Sequence, residues 1–173
     1  VAGVRLRVPP GPHAIRDRRL GSFAAEPQAE CGDFLLLRRD GAVAYQLAVV
    51  VDDARQGVTE VVRGDDLLPS AVRQRLLCDA LGLPFPTQLH LPLVVDPGGR
   101  RLSKRDRDLD LESLREAGAD PRVIVGWVAE SLGLPPRDGL AAAVERAAEF
   151  DVARIPDGVT VLDAATKARL RGR

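Results

Sequence analysis

The apolar positions fall into two regimes. Up to Val95 they come in short runs, and after Arg105 they recur at helical spacing. Val4, Leu6 and Val8 alternate with Arg5 and Arg7 before Pro9-Pro10, which predicts a short strand with one wet face. Residues 11–32 carry scattered charges and no clear period, and read as irregular. Asp33 leads into Phe34-Leu35-Leu36-Leu37, and the run stops at Arg39-Asp40-Gly41, so a buried strand is expected. Residues 45–51 stay open. Three successive valines favour a strand, while Tyr45, Ala48, Val49 and Asp52 also fit helical spacing. Gly57 then breaks the chain, and residues 58–62 predict a second strand. Ser70 is placed as the N-cap of a helix to about Leu81, stopped by Gly82. Residues 89–95 predict a third strand, ended by Asp96-Pro97-Gly98-Gly99.

In the second regime, a short helix is expected from Asp110 or Leu111 to near Gly118. Asp120-Pro121 sets an N-cap with proline in the first turn of a helix reaching Gly133. Residues 140–150 and 160–170 form two further amphipathic stretches. Strands alternating with helices, followed by helices alone, predict an α/β lobe with a small helical appendage.

Composition narrows the function classes. Hydrophobic residues make up 45% of the 173, enough for a core, but aromatics only 3%. Leu, Val and Ala must therefore build the interior, and stacking platforms for bases are scarce. The 25 basic residues balance 25 acidic ones, so there is no overall basic coat and any nucleic-acid contact must be a local patch. Cys31 and Cys78 lie far apart with no metal-ligand spacing, as expected of two reduced thiols in a cytoplasmic protein. No apolar run approaches the roughly 18 residues of a membrane span. The chain starts at Val1 and contains no Met, which is expected of a piece of a longer protein.

Three features carry chemistry. Arg63 ends a predicted strand and precedes Gly64; a guanidinium there can fork onto a carboxylate or phosphate beyond the sheet, or pair at the surface with Asp65 or Asp66. Arg100-Arg101-Leu102-Ser103-Lys104-Arg105 follows a glycine turn, a cationic loop suited to a polyphosphate or simply solvated. His90, in Leu89-His90-Leu91-Pro92, fits a packed, hydrogen-bonded group better than a base.

These strings also resemble a family. LSKR (102–105), after a glycine turn and the HLPL strand (90–93), is similar to the KMSKS signature loop of class I aminoacyl-tRNA synthetases in its glutamate-specific form. AYQLAVVVDD (44–53) and QGVTEVVRGDDLL (56–68) resemble the same enzymes, most of all the glutamyl-queuosine tRNA(Asp) synthetase type.

The resemblance implies a division of the chain: 1–32 the tail of an acceptor-binding insertion, 33–108 the second half of a Rossmann-type catalytic domain, 109–173 a helical extension. It implies that Tyr45 lines the glutamate pocket and Arg63 helps hold glutamate. It further implies that Lys104 is the catalytic lysine that binds ATP and stabilises departing pyrophosphate. Ser103 and Arg101 belong to that loop, with Arg101 standing for its first lysine, and His90 supports the adenine side of the ATP site. The implied partners are L-glutamate, ATP with Mg2+ as the substrate complex, queuosine-bearing tRNA(Asp), and an N-terminal half with the HIGH-type motif. A structural zinc is implied for the family, with its ligands outside this chain. A truncated ordinary glutamyl-tRNA synthetase and a non-catalytic tRNA- or ATP-binding paralogue are the alternatives.

Overall fold

The structure, a computed structural model, describes residues 2–102, 110–136 and 143–172. The chain divides into two compact units, Val1–Leu91 and Pro92–Arg173.

In the first unit the expected outer strand is β1 (Val4–Leu6). It pairs antiparallel with the apolar run, β4 (Phe34–Leu37). Between them lie β2 (His13–Asp17), β3 (Gly21–Ala25) and the short helix α1 (Pro27–Glu30). The irregular reading of residues 11–32 is thus corrected: β2 and β3 form an antiparallel hairpin. Its alternation was hidden because the inward positions of β2 are Ile15 and Asp17, both buried, and a buried aspartate breaks the apolar signal.

Residues 45–51 are helical, within α2 (Tyr45–Gln56). Packing overrides the strand preference of the valines. Val50 is buried with Val8, Phe34, Leu76, Leu77 and Cys78, and Leu47 and Val49 pack against them. After β5 (Glu60–Gly64), a single 3-10 turn over Asp65–Leu67 runs into α3 (Leu68–Leu81), which ends at Gly82 as expected. Ser70 is not its N-cap. The helix already starts at Leu68, with Pro69 in its first turn, and Ser70 is buried inside it, accepting from Gln46 Nε2 at 3.1 Å.

The expected strand 89–95 is two strands, β6 (Thr87–Leu91) and β7 (Val94–Val95). Pro92 has no N–H to offer a ladder, and the two units divide there. The main sheet has the order β3-β2-β6-β5, with β6 parallel to both β2 and β5. Register places Asp17 opposite Gln88, and Arg63 opposite His90. Side chains alternate across a strand, so Ile15, Asp17, Gln88, His90 and Arg63 share one face. Towards α3 that face is apolar where Ile15 and Ala25 meet Ala71 and Val72. It turns polar at the C-terminal ends of the parallel strands. Cys78 lies in the core and Cys31 packs at its margin; both thiols are free.

The second unit contains the helices α4 (Leu111–Glu116), α5 (Pro121–Ser131), α6 (Ala143–Ala147) and α7 (Ala164–Leu170). It is not purely helical, because β7 pairs in parallel with β8 (Thr160–Val161). Aspartates start three helices: Asp110 accepts from Ser113 N at 2.7 Å, Asp120 from Arg122 N at 2.8 Å, and Asp163 from Thr166 N at 2.8 Å. Each cap contributes about 1 kcal/mol. The core is Leu114, Leu162 and Leu170, with Trp127 packed against it. Among the described residues no helix is long and apolar enough to cross a membrane.

Gly133 follows α5 with φ +83°, and a Cβ there would stand 1.9 Å from the carbonyl oxygen of Arg154. Gly118 has φ +74° and open space around it. Gly118→Ala is therefore expected to cost only the left-handed backbone penalty, about 1–2 kcal/mol. Gly133→Ala adds a backbone overlap worth roughly 1–3 kcal/mol more, which chemical denaturation of the two variants will resolve.

Candidate functional site

The polar end of the sheet face converges on Arg63. Its Nε donates to His90 Nε2 at 3.1 Å, Nη1 to Gln74 Oε1 at 2.9 Å and Nη2 to Gln88 Oε1 at 3.0 Å. All three acceptors are neutral, and among the described residues no carboxylate forms an ion pair with Arg63. Pairing with Asp65 or Asp66, one of the two options left by the sequence, does not occur; Asp65 pairs with Arg19 at 3.1 Å. Burial pushes the Arg63 pKa down from its ordinary value, while the neighbouring Tyr45 phenol and Asp53 work the other way. The guanidinium stays charged. Charge-assisted hydrogen bonds of about 1.5–3 kcal/mol each are the right size to offset the several kcal/mol cost of part-burying it.

Behind Arg63 stands a buried relay. His90 and Asp17 are 0% and 2% exposed. His90 Nδ1 lies 2.7 Å from Asp17 Oδ2, which also accepts from the His90 backbone N–H at 3.0 Å. Asp17 Oδ1 accepts from the backbone N–H groups of Arg19 and Leu20, each at 2.9 Å. Burial alone would raise the Asp17 pKa, but the Leu20 N–H, the His90 side chain and the Arg19 N–H outweigh it and hold the carboxyl below its usual range. Arginine offers no acceptor, so the His90 nitrogen facing Arg63 must be unprotonated, and the proton sits on Nδ1. With both ring nitrogens engaged and no exposed surface, His90 supports its neighbours and has no side-chain atom left for a ligand.

Tyr45, at the start of α2, is 58% exposed and its phenol faces Arg63. Next to it, Gln46 Oε1 accepts from Gln74 Nε2 at 3.1 Å, tying α2 to α3 at this point. The structure thus brings together Tyr45, Arg63 and His90 of the residues singled out in the sequence. Asp17, Gln46, Gln74 and Gln88 were missed. A period-two reading of Gln88-Leu89-His90-Leu91 could have flagged a polar face on β6; nothing local marks Asp17 or Gln74.

In the second unit, Asp96 closes the turn by accepting from the N–H groups of Gly98 and Arg100, each at 2.9 Å. Arg101 is exposed and bridges Val95 in antiparallel fashion. Ser103 and Lys104 lie outside the described residues. No group of three or more His, Cys, Asp or Glu that could hold a metal stands among the described residues. Cys78 is packed in the core and Cys31 donates to Pro27 O at 3.0 Å.

Residues 2–162 match the family described as tRNA synthetases class I (E and Q), catalytic domain. A glutamyl-Q tRNA(Asp) synthetase of Nocardia farcinica is 46% identical over 155 residues, covering 90% of this chain and 47% of that protein. Another, from Symbiobacterium thermophilum, is 44% identical over 169 residues, covering 98% and 52%. The chain spans about half the length of the curated relatives it matches. Among solved structures, a glutamate tRNA ligase of Elizabethkingia meningosepticum in complex with its amino acid superposes with a TM-score of 0.78 at 28% identity, covering 94% of this chain and 36% of that one. The sheet with its strand-end arginine is thus part of a known catalytic scaffold, and the chain belongs to the class I tRNA synthetases (E and Q).

Proposed function

We propose that this chain supplies one wall of an enzyme that activates glutamate with ATP and passes the glutamyl group to queuosine in the tRNA(Asp) anticodon. The observation that carries the reading is Arg63. It is a part-buried guanidinium at the C-terminal end of parallel strands, held among the described residues by neutral acceptors, with the Tyr45 phenol facing it. His90, Gln74 and Gln88 each accept from the guanidinium, and the Tyr45 phenol hydrogen-bonds it as well. A carboxylate is the ligand that would both accept from its remaining N–H capacity and neutralise the charge.

Adenylate formation needs no general base, because the glutamate carboxylate is already the nucleophile. Positioning and phosphate electrostatics suffice. In this reading Arg63 and Tyr45 hold glutamate. Lys104, with Ser103 and Arg101 in the same loop, meets the triphosphate of ATP–Mg2+ and takes up charge as pyrophosphate leaves. His90 acts from behind. Residues 1–32 end an acceptor-binding insertion, 33–108 form the second half of the catalytic domain, and 109–173 are its extension, in a cytoplasmic enzyme. The HIGH-type half comes from the part of the relatives that this chain does not match. The outer edge of β5, the strand that bears Arg63, is unpaired among the described residues and Val62 on it is exposed, which suits continuation of the sheet there.

Four outcomes test this. Glutamate-dependent exchange of pyrophosphate into ATP is expected only when the chain is combined with the HIGH-type half; exchange by the 173 residues alone would refute the one-wall reading. In the complete enzyme, Arg63→Gln should raise the glutamate KM far more than the ATP KM, since a buried substrate carboxylate left poorly paired costs several kcal/mol. Lys104→Ala should slow single-turnover adenylate formation at saturating ATP by about a hundredfold, the loss of one contact made to the transition state. Charging assays should give transfer to queuosine-bearing tRNA(Asp) and none to tRNA(Glu); robust charging of tRNA(Glu) would identify an ordinary glutamyl-tRNA synthetase instead.

A further inference from the structure

The carboxylate-binding arginine cannot orient itself. A guanidinium on a flexible stem has many rotamers, and few of them aim its outward edge at the ligand. On one side it is held by Gln74 and Gln88, whose amides are themselves oriented by donating to Gln46 Oε1 and to the Pro86 carbonyl. On the other side is His90, whose lone pair is fixed in place by a group further back. Asp17 can only accept, so it forces the proton onto His90 Nδ1 and the lone pair onto Nε2, facing the Arg63 Nε–H at 3.1 Å.

We propose that Asp17 and His90 are positioning residues for the amino-acid step: Asp17 sets the His90 tautomer, and His90 Nε2 fixes the plane of the Arg63 guanidinium for the substrate carboxylate. Neither touches substrate. The logic is that of a buried aspartate orienting a histidine, with the histidine here acting as a fixed acceptor and no proton moving. Asp17 lies 73 residues before His90 in the chain, on β2, and reaches it because β2 pairs in parallel with β6. Its other oxygen is tied to the turn after β2 by the Arg19 and Leu20 N–H groups, so the carboxylate cannot rotate away. Arg19 adds a second hold by donating from Nε to the His90 carbonyl. This proposal rests on the reading of Arg63 as the glutamate-binding arginine.

Two substitutions of one residue separate positioning from mere filling. In His90→Asn the amide nitrogen stands near Nδ1, so the donor to Asp17 is kept and the acceptor for Arg63 is lost. In His90→Gln the amide oxygen reaches the Nε2 position, so the acceptor for Arg63 is kept and the donor to Asp17 is lost. Asp17→Asn presents an amide N–H to Nδ1, which drives the proton to Nε2 and sets donor against donor at Arg63.

In the complete enzyme, glutamate KM is expected to rise about ten- to a hundredfold in His90→Asn and Asp17→Asn, and clearly less in His90→Gln. ATP KM should stay within about twofold throughout. Urea denaturation should rank His90→Asn at least as stable as His90→Gln, so the order of stability runs against the order of glutamate KM. A KM order that follows stability, or glutamate and ATP KM rising together, overturns the proposal. Nitrogen-15 NMR of histidine and arginine side chains in the same protein gives an arm that needs no turnover. The expected result is a proton on His90 Nδ1 in the wild type, its transfer to Nε2 in Asp17→Asn, and faster exchange of the Arg63 Nε–H in that variant. A wild-type proton on Nε2, or an Arg63 Nε–H unaffected by Asp17→Asn, overturns it. Should the wild type show no glutamate-dependent exchange, the functional reading fails, and the NMR arm still decides the relay.

Discussion

A positive charge is lodged inside a sheet-and-helix layer without an ion-pair partner among the described residues, and much of the first unit is arranged around that fact. A guanidinium paired to an internal carboxylate would be cheaper to bury but would have little left for a ligand. Here Arg63 is held by dipoles from two elements, Gln88 and His90 on β6 and Gln74 on α3, and β2 backs them with Asp17. The charge remains available, and the same hydrogen bonds fasten the helix layer to the sheet. Removing one acceptor would therefore both loosen the packing and leave a donor unsatisfied, at about 1–3 kcal/mol for the unsatisfied group alone.

The sheet face has two ends with different physics. Ile15, Ala25, Ala71 and Val72 make a dry end whose stability is hydrophobic and non-directional. Two residues further along β2 the face becomes polar, and stability there depends on geometry: each buried polar atom must meet its partner. A dry end that holds the strands in register is what lets the polar end be precise. A slip of one residue in any of the three strands would turn its own member of the set, Asp17, His90 or Arg63, to the opposite face.

The second unit is organised differently. Its helices are set by local rules, with aspartate caps at Asp110, Asp120 and Asp163 and a small core around Leu114 and Leu170. The turn before the cationic loop is likewise local, built by Asp96 accepting from the residues that follow it.

What the sequence determined by itself was whatever a few neighbouring residues decide. The strand Phe34–Leu37, the stop at Gly82, the capped helix after Asp120 and the turn at Asp96 all follow from side chains within a few positions. Tyr45 and Arg63 were legible as a pair worth joining, through their resemblance to a family's motifs. Tertiary structure decided the rest. Whether residues 45–51 are helix or strand turned on what Val50 packs against. That Asp17 belongs to a strand is invisible locally, because an inward aspartate is tolerable only once His90 and two backbone N–H groups are brought to it. Arg63 likewise finds its acceptors 11, 25 and 27 residues away. Local propensity carries no information about partners that only folding assembles, and a buried polar residue is intelligible only in the presence of the groups that satisfy it.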